Sequence, residues 1–357
     1  MQGAADRCAK ARACLAREGA DALLVTSRIN RWYLSGFSGS AGWLLLTGQD
    51  AYALVDFRYS QQVREQAPGF TPVEGDDLME ALEGLVKRLG LRRIAFEAAH
   101  STVKDQARRE ELMPGVEWVP TTGVVEEIRA VKEPGELARI ERAVALADEA
   151  FTYILDRLVG RTEREVALDL ELFLRRAGAS QAAFPFIVAS GPNGAMPHAV
   201  PTERVIQRGD LVTLDFGAVV DGYCSDITRT VGVGPLTPKQ REIYALVLEA
   251  QQAGIAAVRP GRLGKEVDAD ARRVIEAAGY GENFGHGLGH GLGMEVHEDP
   301  PRLSRRGQAR LVPNMVTSVE PGVYIPGWGG VRIEDLVVVT EEGCRVLTRA
   351  PKELLEL

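Results

Sequence analysis

The residues able to do chemistry crowd into the second half of the chain. Asp215 stands in Thr-Leu-Asp-Phe-Gly and Asp226 in Ser-Asp-Ile-Thr-Arg-Thr. His286, His290 and His297 share one glycine-rich stretch, Asn283 to Glu298. Glu320 opens Glu-Pro-Gly-Val-Tyr324, and Glu334 closes Val-Arg332-Ile-Glu. The spacing of His286 and His290 is that of a zinc-binding helix, but the glycines between residues 285 and 293 oppose a helix there. No Glu occupies the place that an HExxH mechanism needs, and the glycines form no phosphate-loop register. They suit a close approach of backbone and imidazoles in a crowded site. Taken singly, each Glu reads as a surface charge and a lone His as structural. Taken together, four carboxylates and one imidazole make an oxygen-rich donor set that suits Mn²⁺, Co²⁺, Fe²⁺ or Zn²⁺. Four negative ligands exceed what one dication balances and match two ions, roughly 3.5–4 Å apart, sharing an acidified water.

These acids need elements that aim them. Leu211 to Val220 and Tyr223 to Val231 flank Asp221-Gly222, a two-residue hairpin signal between apolar runs. A tight turn pairs Asp215 with Thr228 and Asp226 with Gly217. Side chains alternate along a strand, so Asp215 and Asp226 share a face, as diagonal neighbours roughly 7–8 Å apart at Cα. Without a cation such a pair repels, and one member keeps its proton. Glu320 and Glu334 also sit in or beside strand-like runs, joined through Pro326 to Gly330. The turn length leaves the facing of the two glutamates open. A regular strand would put Arg332 and Glu334 on one face.

The rest of the chain divides into two domains, residues 1–128 and 129–357. The first alternates helix-like runs (4–18, 77–89) with strand-like ones (Ala22–Val25, Trp43–Leu46, Ala51–Val55, Arg93–Phe96) and reads as an α/β lobe. Pro134 suits the first position of a long amphipathic helix, flanked by Glu133 and Glu136. Helices at 163–176, 238–257 and 265–278 follow among short β-rich stretches. Strands do not alternate regularly with helices, which favours an α+β domain with antiparallel sheet.

Of 357 residues, 45% are hydrophobic and 26% charged, the mix of an ordinary globular protein. The formal net charge of −8 argues against a nucleic acid partner. No apolar run approaches the ~20 residues that span a bilayer, so no membrane role is expected. The first nineteen residues are too charged for a signal-peptide core. Cys8, Cys14, Cys224 and Cys344 form no CxxC pair and read as the reduced thiols of a cytoplasmic protein.

The ordered set Asp215, Asp226, His290, Glu320 and Glu334 resembles the metallopeptidase family of methionine aminopeptidase, aminopeptidase P and prolidase, over roughly residues 130 to 345. The resemblance implies the pita-bread fold and a centre of two divalent ions, first Mn²⁺, with Co²⁺ or Zn²⁺ as alternatives. The five residues are then the ligands, with Asp226 and Glu334 bridging. Ser190-Gly-Pro-Asn-Gly-Ala-Met-Pro-His198-Ala, Glu295-Val-His297-Glu298 and Val331-Arg332-Ile-Glu334-Asp335 resemble the Xaa-Pro peptidases within that family. Gly36-Phe-Ser-Gly-Ser-Ala-Gly42 and Asp56-Phe-Arg-Tyr59 resemble the creatinase-like first domain of small bacterial aminopeptidase P and prolidase proteins, a lobe that methionine aminopeptidases generally lack. Creatinase itself lacks this ligand set.

That resemblance implies Glu320 as the proton carrier, His198 and His297 beside the tetrahedral intermediate, and His286 with Arg332 at the proline end; Tyr324 is a further helper. The substrate is a proline-containing peptide. The lobe motifs lean modestly to an Xaa-Pro aminopeptidase, with a dipeptidase restricted to Xaa-Pro as the alternative. A non-catalytic peptide-binding module would have lost the ligands. A homodimer, with the lobe of one subunit closing the other's site, is also implied. His100 has no such context.

Overall fold

Short apolar runs of the first unit pair into one mixed sheet. Its strands are β1 (Ala22–Val25), β2 (Trp43–Thr47), β3 (Ala51–Val55), β4 (Thr71–Glu74), β5 (Arg93–Glu97) and β6 (Glu117–Thr121), in the order β4-β3-β2-β1-β5-β6. The β1–β2 and β2–β3 pairs are antiparallel; β3–β4, β1–β5 and β5–β6 are parallel. Around them run α1 (Gln2–Glu18), α2 (Arg28–Ser35), α3 (Ser60–Gln66), α4 (Leu78–Leu89) and α5 (Val103–Leu112). Leu24, Leu45, Leu54, Leu82 and Ile94 form the centre of the unit's core. Local chemistry sets the helix ends. The Asp77 side chain accepts from the amides of Met79 and Glu80 to start α4, and Gly90, in the left-handed region, stops it. The short α2, capped by Ser27, escapes a periodicity reading because it spans barely two turns.

The computed structural model describes residues 2–357, which part into two compact units between Arg129 and Ala130. Beyond the connecting helix α6 (Val124–Ala130), the second unit opens on α7 (Pro134–Ile154). Pro134 takes the first turn, and Glu133 and Glu136 form a capping box. Then come α8 (Glu163–Arg176), β7 (Gln181–Ala182), β8 (Ile187–Ser190), β9 (Leu211–Phe216), β10 (Ala218–Val220), β11 (Tyr223–Cys224) and β12 (Ile227–Gly232). Helices α9 (Pro238–Ala257) and α10 (Gly264–Ala277) precede β13 (Gly289–Gly291), β14 (Glu298–Leu303), β15 (Val316–Val319), β16 (Gly322–Ile325), β17 (Gly329–Arg332), β18 (Asp335–Val339) and β19 (Cys344–Val346).

Every named strand pair of this unit is antiparallel. The strands fall into sheets ordered β12-β9-β8, β11-β10-β7, β14-β13-β15-β18-β19 and β16-β17. Two apolar clusters support them. One packs α7 and α8 under β8, β9 and β12 through Phe151, Leu170, Val188 and Leu214. The other packs α9 and α10 under β15 to β18 through Val247, Ala271, Val319 and Val337. No described helix is long and apolar enough to cross a membrane.

Candidate metal centre

The Asp221-Gly222 turn fixes the first two acids. Asp221 and Gly222 both have positive φ, 47° and 80°, as the tightest hairpin turn requires. Asp215 on β9 lies opposite Thr228 on β12. The two long strands expected from the sequence are each interrupted: the ladder stops at Gly217 on one side and at Ser225-Asp226 on the other. Crowding explains the break, since a Cβ on Gly217 would meet the Ser225 carbonyl oxygen at 1.9 Å. The register is the same before and after it, with Cys224 opposite Val219 and Thr228 opposite Asp215. Asp226 sits in the interruption.

His290 occupies the middle of β13. Its neighbours must be glycine because strands press close on both sides; a Cβ on Gly289 would come within 2.1 Å of the Ser318 carbonyl oxygen of β15, and one on Gly291 within 2.5 Å of the Glu298 carbonyl oxygen of β14. Glu320 follows β15, and Glu334 bridges the gap between β17 and β18. The expected regular strand from Arg332 to Glu334 is broken there. Even so, Arg332 Nε donates to Thr228 Oγ1 at 3.1 Å, and that hydroxyl donates to Glu334 Oε2 at 2.8 Å. Asp226, His290 and Glu334 each bring a ligand atom within 4.8 Å of the other two. Together with Asp215, Glu320, His198, His286, His297 and Arg332 they line one cavity of about 970 Å³.

The donor set behaves as one built around cations. Asp215 Oδ1, Asp226 Oδ1 and Glu334 Oε1 are buried and accept no hydrogen bond. Burial, reinforced by Glu334, Asp215 and Glu320, pushes Asp226 well above the usual carboxylate range. Burial, with Glu320 and Asp215, does the same to Glu334. Burial opposes charge on His290, but the hydrogen bond and charge of Glu320, with Glu334 behind, lift it to about 9. Burial would likewise raise Glu320; the His290 contact outweighs it and draws Glu320 down to about 2. In the protein alone, protons must stand in for missing positive charge. A divalent ion among Asp226, His290 and Glu334 would replace them.

Hydrogen bonds aim the imidazoles. His290 Nδ1 lies 3.0 Å from the Gly291 carbonyl oxygen, which accepts its proton, and Nε2 faces the acids, 3.6 Å from Asp226 and 3.3 Å from Glu320. Ser318 Oγ holds Glu320 Oε1 at 3.0 Å. His286 Nδ1 faces the Gly287 carbonyl at 2.8 Å, so its Nε2 accepts from the Tyr324 hydroxyl at 2.9 Å. Arg332 donates to that same hydroxyl at 2.8 Å and to Asp215 Oδ2 at 2.5 Å. Burial keeps both His286 and His297 below the ordinary imidazole range, hence neutral near pH 7. The His297 ring meets the His290 ring edge-on, with centroids 4.2 Å apart.

Comparisons with known proteins agree with this geometry. Residues 138–341 match the model of Metallopeptidase family M24, and residues 7–131 match the Creatinase/Prolidase N-terminal domain. The chain belongs to metallopeptidase family M24. It is 46% identical over 341 residues to an uncharacterized peptidase, YqhT, of Bacillus subtilis (strain 168), covering 95% of this chain and 96% of that protein. A solved Xaa-Pro dipeptidase from Bacillus anthracis superposes with a TM-score of 0.96 at 43% identity, covering 99% of this chain and all of that one (100%). A solved X-Pro aminopeptidase from Thermotoga maritima MSB8 gives a TM-score of 0.88 at 36% identity, covering 95% and 98%. The second unit is therefore a pita-bread metallopeptidase domain of the Xaa-Pro group, behind a creatinase-like N-terminal domain.

Around the centre, this M24 chain carries buried acids of a different kind. Asp335 accepts from Arg229, Thr348, Gln251 and Lys352. Asp268 on α10 takes a two-pronged bond from Arg272 and also accepts the Leu288 amide at 3.0 Å. Arg272 also donates to the carbonyls of Phe284 and His286, at 2.8 and 2.6 Å. Glu298 accepts from Lys132 Nζ at 2.8 Å and from the Met294 amide at 2.9 Å, bracing the turn that bears His297. Sequence reasoning quoted Glu298 and Asp335 only as members of motifs, passed over Asp268, and gave none of the three a bracing role. The i,i+4 spacing of Asp268 and Arg272 on a helix is the one signal it could have used.

Proposed function

We propose that this chain is a two-metal Xaa-Pro dipeptidase. The observation that carries the reading is the charge of the cavity lining, which brings Arg302, Arg305 and Arg306 into the same cavity as the acidic ligands. Arg302 and Arg305 have only exposed contacts with Asp299 and Glu276, at 3.8 and 3.3 Å, so their guanidiniums can turn to a substrate that carries a free carboxylate beside the scissile bond. The Bacillus anthracis dipeptidase, with its higher TM-score and identity, supports the same choice. This reverses the modest lean to an aminopeptidase. The Thermotoga maritima aminopeptidase keeps that second reading in play.

Asp215, Asp226, His290, Glu320 and Glu334 would hold two divalent ions, Mn²⁺ first and Co²⁺ or Zn²⁺ as alternatives. Such ions supply Lewis acidity and acidify water at neutral pH. Glu320, held ionised, accepts the water proton and passes it to the proline nitrogen as the bond breaks. His198 and His297 donate to the tetrahedral oxygen; His286 and Arg332 set the proline ring. Tyr324 ties those last two together. All four cysteines are free thiols, which supports a cytoplasmic setting. The assembly implied by resemblance is a homodimer that uses the first unit in closing the site; light scattering at twice the chain mass checks it.

Incubation of the Mn²⁺-loaded protein with Ala-Pro and with Ala-Pro-Ala, with products identified by mass, tests the reading. Ala-Pro should be hydrolysed, and the tripeptide cleaved at least about tenfold more slowly, as expected when a paired charge is lost. Equal or faster cleavage of the tripeptide selects the aminopeptidase. No cleavage of either rejects both.

A further inference from the structure

Glu163 is the first residue of α8, and it is completely buried at 0% exposure. Its carboxylate reaches both ends of one loop. Oε1 accepts from the Ser190 amide and hydroxyl, each at 2.7 Å, and Oε2 accepts from the Thr202 amide at 3.0 Å and hydroxyl at 2.6 Å. Asn193 Nδ2 lies 3.0 Å from each oxygen. Every contact is a donor aimed at an acceptor, so only the ionised acid fits, and these bonds outweigh burial to hold it below the usual range. Arg204 backs the arrangement from Ser190 Oγ and Asp210.

The loop so closed, residues 190–202, carries His198 near its middle. The loop is pinned again at that point. Arg332 Nη1 donates to the Pro197 carbonyl at 3.2 Å, and the Gly194 backbone lies so close to β17 that a Cβ on Gly330 would meet its oxygen at 2.1 Å. Ala199 is buried, while His198 itself is exposed on the cavity wall. An exposed imidazole on a loop has no packing of its own to fix it. Its position comes from the loop's anchors.

We propose that Glu163 is a positioning residue: it closes the 190–202 loop so that His198 is presented to the substrate. The assignment rests on the Xaa-Pro peptidase reading for what His198 does. Loop closure by Glu163 differs from metal binding, because Glu163 touches no ligand residue.

A double-mutant cycle on the Mn²⁺-loaded enzyme with Ala-Pro tests it. Glu163→Gln should lower kcat/KM about tenfold in the wild-type background and less than about twofold in His198→Ala, the non-additivity of residues acting as one unit. Metal content should be unchanged. Equal losses in both backgrounds, or loss of metal, overturn the assignment. Thr202→Val, which removes one donor and keeps the carboxylate, should show the same pattern at smaller size, and it serves if Glu163→Gln does not fold. Hydrogen exchange supplies a reading apart from activity. The Ser190 and Thr202 amides should exchange faster in either variant, with β9 amides unchanged; equal protection in variant and wild type overturns loop closure. A wild-type enzyme inert toward Ala-Pro overturns the peptidase reading and the His198 assignment with it, whereas cleavage with additive losses overturns the assignment alone.

Discussion

Glu334 and Asp335 are neighbours in the chain, both fully buried, and the fold treats them in opposite ways. Glu334 faces three other carboxylates, keeps one oxygen without a donor, and is pushed well above the usual range by burial and by Glu320 and Asp215. Asp335 faces Arg229 and Lys352, with Thr348 and Gln251 completing its contacts. Burial alone would raise it, but the charge of Arg229 and the bonds of Lys352 and Thr348 hold it below that range. The same contrast separates the two regions to which they belong. The floor of the cavity gathers four carboxylates around His290 and Arg332 and leaves Asp215 Oδ1, Asp226 Oδ1 and Glu334 Oε1 without a donor. The ring around it, formed by Asp335, Asp268, Glu298 and Glu163, has every acid saturated by donors. A binding site for cations is made by withholding donors, and it persists because its surroundings withhold none.

The largest test removes the floor. Asp226→Ala should cost at least roughly a thousandfold in hydrolysis and most of the bound metal, since water is no longer acidified at neutral pH. Full activity after this change or after thorough chelation would break the comparison.

Stability should then separate the neighbours by sign. Asp335→Asn leaves the buried Arg229 without its counter-charge, with the half-buried Lys352 losing its partner as well, and should destabilise the protein by about 3 kcal/mol in denaturant melts. Glu334→Gln removes repulsion from the metal-free protein and should stabilise that form by about 1 kcal/mol, while metal binding is lost. The pH dependence follows the same division. Asp226 and Glu334 have raised folded-state values, so the chelated protein holds more protons than the unfolded chain, and their contribution falls as pH rises from the ordinary carboxylate range toward neutrality. Glu163 and Asp335 are lowered, so their contribution is present above the ordinary range and disappears as pH drops below it. Melts of chelated Asp226→Asn against chelated wild type should show the penalty shrinking on acidification from pH 7 to about 5. A difference that does not vary with pH would mean that the floor acids are not raised.

Much of the floor was legible in the sequence, and little of the ring. The Asp-Gly turn set the register that places Asp215 opposite Thr228, because a two-residue turn leaves one pairing. Glu163 and Pro134 start their helices where apolar spacing and first-turn residues place them. The facing of Glu334 was not legible, since its strand breaks at Ile333 and a Thr228 hydroxyl from another sheet does the aiming. Nor could spacing separate Glu334 from Asp335. What distinguishes them is Arg229, which is 106 positions away along the chain. Ring contacts of this kind join distant segments, and local patterns do not encode them.

Smaller effects should come from the brace behind His286. Arg272→Lys keeps one charge beside Asp268 but cannot also reach the carbonyls of Phe284 and His286. His286 would lose its fixed place beside Tyr324. We expect kcat/KM to fall by about tenfold, the scale of outer-shell changes, with metal content unchanged. Loss of metal here would mean that floor and ring are less separate than their hydrogen bonds indicate.

The smallest effect belongs to the histidine outside both regions. His100 lies 3.7 Å from Glu126 with its side chain 40% exposed, a spacing and exposure that make the contact weak. Glu126 already accepts from Asn30 at 2.6 Å, so it keeps a partner when the imidazole is removed. His100→Ala should therefore leave hydrolysis unchanged and move stability by less than about 0.5 kcal/mol. The other four histidines share its side-chain chemistry and line the cavity. A measurable loss in His100→Ala would show that the first unit shapes catalysis through this surface, and the division into floor, ring and remainder would have to be redrawn.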